Sequence, residues 1–235
     1  MPFSNYKSIS AVAKEFQINY LRDNFIVETE FAVSEVFRNE LELIFNDGVF
    51  DNSEIAICEN IIYPVLKEVW KNYRSNFLLW SHQTLIYNEN LSGIPAYILA
   101  KRSPLGTVVF DKPYFILVEA KKESAFDEGL GQCLAEMIAV QRLNNEPEQT
   151  IFGIVSNGAM WQFGKLKLER FTQNKFFYTI QDLERLFAAV NYVFKQCELQ
   201  LEEKEEVRND TDFDTDTPIN YRAWGRSQKL NSDNC

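Results

Sequence analysis

The sequence contains a single histidine and four cysteines, and these shortages exclude several kinds of site. The cysteines stand far apart at Cys58, Cys133, Cys197 and Cys235, with no Cys-x-x-Cys pair among them. A structural zinc site needs clustered Cys and His ligands, so the sequence argues against one. A Ser-His-Asp triad would have to use His82, the sole histidine. We interpret His82 as structural and the cysteines as reduced thiols, three of them buried.

The sequence also lacks any run of about eighteen apolar residues, the length that a membrane-spanning helix needs. Its first ten residues, MPFSNYKSIS, have neither the basic start nor the apolar stretch of a secretory signal. We therefore expect a cytoplasmic protein without a membrane partner. The length of 235 residues suits one domain of ordinary size, and 46% hydrophobic residues suffice for a sizeable core.

Acidic residues outnumber basic ones by 34 to 24, and the formal net charge is -10. This balance argues against a protein that coats nucleic acid through bulk electrostatics. Residues 201–217 hold eight acids and two basic residues, and we predict that residues 207–235 form an acidic, disordered tail. Basic residues within 100–103 and 119–124 leave a local basic cleft open as an alternative.

Hydrophobic periodicity predicts helices first, then strands, then a helix between strands. The predicted helices cover residues 8–22, 33–45, 51–73, 125–144 and 181–206, and the predicted strands lie within 76–87, 93–103, 112–122 and 150–171. We expect an N-terminal helical segment, 1–50, to pack on an α/β core, 51–206, in which Pro64 kinks the helix over 51–73. The strand–helix–strand order over 112–157 predicts a parallel pair, and the hairpins before it predict antiparallel neighbours. The sequence therefore predicts a mixed sheet with helices on both sides.

The stretch YFILVEAKKES, residues 114–124, places an acid and an amine at the end of a buried strand. Glu119 and Lys121 are two residues apart, so they share one face of that strand at its carboxyl end, where sites form in open α/β sheets. The helix that follows carries Gln132 and Glu136 on one face. A salt bridge at a strand end would explain the pair, and so would a site for a cation and a phosphate.

Carboxylates from separate elements beside a lysine suit hydrolysis assisted by a hard cation. Magnesium prefers oxygen ligands and keeps several waters. It lowers the pKa of a bound water and screens charge that develops on a phosphoryl oxygen. A neighbouring lysine can orient that water or bind the phosphate.

The segment from about Ser53 to Leu166 resembles the PD-(D/E)XK nuclease superfamily, in the form of small stand-alone bacterial proteins related to restriction endonucleases. The matching stretches cover about half of the chain and read SEIAICENIIYPVLKEVW, LSGIPAYILAKRSPLG, PYFILVEAKKESAFDEGLGQCLAEMIAVQ and IFGIVSNGAMWQFGKL. The resemblance implies an α/β, restriction-endonuclease-like mixed β-sheet flanked by helices on both sides. It further implies Mg²⁺ or Mn²⁺ as cofactor, DNA as substrate and, by analogy, a homodimer.

The resemblance also implies roles for individual residues. Glu119 would bind the metal, the backbone carbonyl of Ala120 would complete the metal shell, and Lys121 would position or activate the attacking water. Glu59, the acid on the first core helix, and Gln132, on the helix after the strand, would support them.

One position departs from the pattern of the superfamily. An Asp is expected after a Pro in the strand before Glu119, but here Pro95 is followed by Ala96, whose methyl group cannot ligate a cation. Either the chain is an inactivated nuclease or its metal site has been rebuilt with Glu59 or Glu136. We expect strongly reduced cleavage, with a non-catalytic nucleic-acid- or protein-binding module, or a purely structural domain, as alternatives.

Three further residues have two interpretations each. Lys101 and Arg102 end the strand before Glu119, where they would contact DNA phosphates or lie at a solvated strand end. Trp161 would fill an apolar space between sheet and helix, or stack on a nucleotide base.

Overall fold

The computed structural model describes the backbone of residues 2–213 and the side chains of residues 2–204, apart from that of Glu123. The acidic tail beyond residue 213, and with it Cys235, lies outside the described residues. Among the described residues, the main compact unit extends to Leu199, and those from Gln200 to residue 213 belong to a second unit. Within the described part, no helix is both long enough and apolar enough to cross a membrane.

Six α-helices are described, with one π turn between the third and fourth. They are α1 Ile9–Phe16, α2 Glu35–Asp47, α3 Glu54–Ile57, the π turn Cys58–Ile62, α4 Tyr63–Tyr73, α5 Phe126–Asn144 and α6 Leu183–Phe213. The first three α-helices begin where a serine side chain accepts a hydrogen bond from the first turn; these serines are Ser8, Ser34 and Ser53. The bounds of α2, α5 and α6 confirm the helices predicted over 33–45, 125–144 and 181–206.

At Pro64, where the sequence predicts a kink, the structure has a π turn, Cys58–Ile62, immediately before α4. Proline has no N–H for the carbonyl of Asn60, and its ring crowds that carbonyl. The N–H of Tyr63 bonds instead to the carbonyl of Cys58, five residues back. This widened turn lets one continuous helical segment carry the proline.

The prediction of one helix over residues 8–22 is wrong in its second half. Gln17 adopts a left-handed conformation with φ 57°, which ends α1. Residues Asn19–Asp23 then form strand β1, which pairs in parallel with Arg170–Asn174. The N-terminal segment is therefore not purely helical, since it supplies a strand to the sheet.

The strands form one large mixed sheet and a small separate ribbon. They are β1 Asn19–Asp23, β2 Phe77–Ser81, β3 Leu85–Ile86, β4 Ser92–Gly93, β5 Tyr97–Lys101, β6 Tyr114–Ala120, β7 Ile151–Ser156, β8 Met160–Lys167, β9 Arg170–Asn174 and β10 Tyr178–Thr179. The large sheet has the order β1-β9-β8-β7-β6-β5-β2, with β10 beside β8, while β3 pairs with β4. Strands β6 and β7 are parallel, and β2, β5 and β6 are antiparallel neighbours, as predicted.

Helices cover both faces of the sheet. On one face α5 packs along β6 and β7, with α1 against α5. On the other face Tyr63 of α4 stacks on Tyr97 of β5, with ring centroids 5.8 Å apart. The hydroxyl of Tyr73 donates to Asn191 at 2.7 Å and so links α4 to α6. The α/β class and the mixed sheet are confirmed.

Candidate functional site

The acid and the amine lie at the carboxyl end of β6, beside the parallel strand β7. All seven residues of β6 are buried, and Glu119 lies opposite Val155. Lys121 follows the strand, and its N–H donates to the carbonyl of Ser156 at 3.0 Å. The backbone therefore fixes both residues against the central strands.

Glu119 and Lys121 form a largely buried ion pair on the α5 face of the sheet. The Nζ of Lys121 lies 2.7 Å from Oε1 of Glu119, and the side chains are 15% and 6% exposed, respectively. The stem of Lys121 crosses Gly129 of α5, where a Cβ would come within 2.7 Å of the lysine Cγ. The shared face expected from period-two geometry is confirmed, and a glycine makes room for the amine.

A second carboxyl group, that of Glu136 on α5, completes a buried acidic pair. Glu136 is fully buried, and Nε2 of Gln132 donates to its Oε1 at 3.1 Å. Burial, together with the negative charge of Glu119, raises the pKa of Glu136 well above its usual range. Burial next to Glu119 therefore disfavours the ionised form of Glu136.

The electrostatics of Glu119 combine opposing effects. Burial raises the pKa of Glu119, while Lys121 and the hydrogen bond from Glu136 act in the opposite direction. The pKa of Lys121 is raised, since the attraction of Glu119 and other acids outweighs the effect of burial. The Oε2 atoms of Glu119 and Glu136 are both buried without a hydrogen-bond donor among the described residues. The site thus holds one strong ion pair and two oxygens with unused acceptor capacity.

The acid on α3 that acts on this site is Glu54. Its negative charge contributes to the raised pKa values of both Glu119 and Lys121. Glu59 is exposed on the π turn, and its charge acts on Cys58 and Tyr97 instead. Among the described residues, no hydrogen bond or ion pair joins Glu59 to Glu119 or Lys121. The sequence carries a signal for this acid: Ser53 is a typical N-cap residue, and a helix that begins there has Glu54 in its first turn.

Ala96 lies immediately before β5, at the position opposite Glu119. Tyr97 pairs with Val118 in the antiparallel register, so the next step along both strands places Ala96 beside Glu119. Ala96 is buried, and its carbonyl accepts the N–H of His82 at 3.0 Å. An Asp at position 96 would share the α5 face with Glu119, since residues alternate between faces.

A divalent cation has few carboxylates available here. Among the described residues, no group of three or more His, Cys, Asp or Glu side chains is arranged to hold a metal ion. Glu119 and Glu136 fit a smaller site, because each has one buried oxygen without a donor. Magnesium sites commonly use one or two carboxylates, with water and substrate phosphate completing the shell.

Lys101 and Arg102 lie away from the ion pair. Strand β5 runs antiparallel to β6, so Lys101 is at the opposite end of β5 from Ala96, about 16 Å along the strand. The guanidinium of Arg102 donates to the carbonyl of Arg74 at 3.3 Å. These two residues do not border the Glu119 site.

Trp161 is a core residue. Its side chain is fully buried, and its indole N–H donates to the carbonyl of Gly158 at 3.0 Å. A fully buried ring cannot stack on a nucleotide base without unfolding its surroundings. Cys58, Cys133 and Cys197 are buried free thiols, as predicted.

A cavity of about 500 Å³ lies beside this end of the sheet. Its lining includes Lys122, the turn Asn157–Ala159, and Ile57 and Ile61. Glu119, Lys121 and Glu136 are not among its lining residues, so this cavity is separate from the ion pair.

Comparison of the chain with protein-family models, with curated proteins and with solved structures found no match. The resemblance to the PD-(D/E)XK superfamily therefore remains a prediction.

Proposed function

We propose that the chain is a PD-(D/E)XK-type, nuclease-like protein that hydrolyses DNA phosphodiester bonds with Mg²⁺ or Mn²⁺. In this proposal Ala96 leaves the chain with strongly reduced cleavage. The observation that carries it is the convergence of two buried carboxyl groups and a largely buried lysine at the carboxyl end of β6. Burying three ionisable groups together is costly unless they are paired, and such clusters are concentrated at functional sites.

Two side chains and one carbonyl would hold the cation. Glu119 and Glu136 each offer a buried oxygen that lacks a donor, and the carbonyl of Ala120 follows Glu119 directly. When bound, the metal would supply a water of lowered pKa and positive charge near the phosphoryl oxygens.

The remaining residues position these groups. Gln132 donates to Glu136 and fixes the orientation of its carboxyl group. Lys121 is held over Gly129 and its side chain is 15% exposed; in this proposal its amine would orient the attacking water or a phosphate oxygen. The low exposure of the pair limits the water that competes for these contacts.

Ala96 explains why cleavage should be weak. Position 96, beside Glu119, carries a methyl group in place of a carboxylate. The cation is then left with two acids, Glu119 of β6 and Glu136 of α5. With one fewer anionic ligand, the affinity for a divalent cation should fall.

The second candidate function is a non-catalytic module that keeps the nuclease fold for binding nucleic acid or protein. One observation favours it: the ion pair to Lys121 and the hydrogen bond from Glu136 already satisfy much of the charge of Glu119 without a metal. This candidate predicts DNA binding that is independent of divalent metal and of Glu119, and that weakens steeply with salt.

Nicking of supercoiled plasmid DNA in Mg²⁺ or Mn²⁺ tests the catalytic proposal. The Ala96→Asp variant should nick DNA faster than the natural chain, and a further Glu119→Gln substitution should abolish the gain. Glu59→Gln is the matched control, because Glu59 is an exposed acid without a hydrogen bond or ion pair to Glu119 or Lys121 among the described residues. If Ala96→Asp gains no activity, or if its activity survives Glu119→Gln, the catalytic proposal fails.

A further inference from the structure

A second cavity, of about 890 Å³, lies among strands β1, β8 and β9 and the end of α5. Its volume falls in the range of about 300 to 1,000 Å³ that is typical of sites for small molecules. Neither Glu119 nor Lys121 is among its lining residues, which distinguishes it from the site described above.

The lining of this cavity is basic although the chain is acidic. Its charged members are Arg142, Lys165, Lys167 and Arg170, against Asp23 and Glu169. Four basic residues face two acids here, whereas the whole chain has a net charge of -10. This local reversal favours an anionic ligand.

Three of the basic residues project from one face of two adjacent strands. Lys165 pairs with Thr172, and Lys167 pairs with Arg170, in the antiparallel register of β8 and β9. Lys165 and Lys167 are two residues apart, which separates them by about 7 Å along the strand. The sheet thus presents a fixed patch of positive charge to the cavity.

Lys165 combines partial burial with an ammonium that has no acceptor among the described residues. Its side chain is half-buried, and its Nζ lies 4.8 Å from the ring centroid of Phe25. The ammonium forms no hydrogen bond or salt bridge with any described residue, and burial lowers its pKa. The neighbouring acid Asp23 is 3.3 Å from Lys175, which already pairs with it. A half-buried ammonium without an acceptor is costly, and a bound anion would offset that cost.

Arg170 also has hydrogen-bond donors without an acceptor among the described residues. Its side chain is exposed, and its guanidinium makes no ion pair or hydrogen bond within the described part of the chain. A guanidinium presents a planar fork that matches two oxygens of one phosphate. Lys167 is only loosely paired, 3.7 Å from Glu148.

We propose that this cavity binds a phosphate-bearing ligand of nucleotide size, with the phosphate held by Lys165, Lys167 and Arg170. The apolar part of the ligand lies against Phe25 and Leu21, which also line the cavity. The same chemistry is present in a free nucleotide and in one nucleotide unit of a single strand. This site does not depend on the proposed nuclease activity, since it shares no residue with the Glu119 site.

Binding to the full chain tests the proposal with three probes: inorganic phosphate, ADP and a fluorescein-labelled dT12 oligonucleotide. Calorimetry measures the first two, and fluorescence anisotropy measures the third. Lys165→Met should weaken binding about tenfold or more, as expected for a lost hydrogen bond to a charged group. Lys67→Met is the matched control, because Lys67 is exposed on α4, and it should leave binding within about twofold.

The probes also distinguish the source of the phosphate. If ADP binds more tightly than dT12, the ligand is a free nucleotide; if dT12 binds more tightly, the ligand is a single strand. Either result supports the site, provided that Lys165→Met weakens the binding. Should Lys165→Met fail to fold, as judged by circular dichroism, Arg170→Gln provides the same test at an exposed position. Failure of all three probes to bind, or binding unchanged in the folded variants, would overturn the proposal.

Discussion

Replacing Lys121 by Met should expose how strongly the buried ion pair stabilises the fold. The substitution keeps most of the apolar stem over Gly129 but removes the ammonium 2.7 Å from Glu119. Removing one partner of a buried pair typically costs 3 to 5 kcal/mol, because the other charge stays buried. We expect about 3 kcal/mol, since Lys121 keeps 15% exposure and Glu119 can take up a proton.

Equilibrium unfolding in urea, followed by circular dichroism, measures this change. At a slope of about 2 kcal/mol per molar urea, the midpoint should fall by about 1.5 M. Lys71→Met is the control, because Lys71 is 48% exposed in its pair with Glu68, which also accepts a hydrogen bond from Ser34, and the loss of this lysine should cost less than about 1 kcal/mol. The double variant Lys121→Met, Glu119→Gln should recover most of the loss, because it removes the orphaned charge. If Lys121→Met costs no more than the control, or if the double variant is worse than either single one, the buried pair does not exist as described.

Three further predictions concern packing and ionisation. Gly129→Ala should cost about 1 to 3 kcal/mol in unfolding free energy, because its Cβ would come within 2.7 Å of the Lys121 Cγ; unchanged urea unfolding would contradict the close approach. Tyr73→Phe should lower the thermal midpoint, since it leaves the buried acceptor Asn191 without its 2.7 Å donor at a cost of about 1 to 2 kcal/mol; a rise in the midpoint would refute this. Burial raises the pKa of Tyr73 and of Tyr178 to about 12. The stability that these two phenols contribute is therefore fully present below the unfolded pKa of about 10, and it is lost as pH rises through about 12. Tyrosinate absorbance of the native protein that appears entirely near pH 10 would contradict these raised pKa values.

The central strands were predictable because their signals are local. The apolar run before Glu119 marks β6, and the two-residue spacing to Lys121 places both side chains on one face in any strand. Strand β1 was not predictable in this way. All five of its residues are exposed, so its pattern lacks the alternation that marks a half-buried strand. Its pairing with β9, far along the chain, determines its structure.

The site was only partly predictable because its members meet through tertiary packing. Spacing showed that Gln132 and Glu136 share a helix face, but only the docking of α5 on β6 brings Glu136 to Glu119. Lys101 was expected near a functional strand end, and the antiparallel direction of β5 places it at the other end.

Binding of Mn²⁺ to the full chain, measured by isothermal titration calorimetry, tests most directly whether the acids at the end of β6 form a cation site. We predict that the natural chain binds one Mn²⁺, that Glu119→Gln abolishes binding and that Ala96→Asp strengthens it. Glu59→Gln should bind as the natural chain does. No detectable binding by Ala96→Asp, or equal binding by Glu119→Gln and the natural chain, would contradict the assignment of a metal site to Glu119.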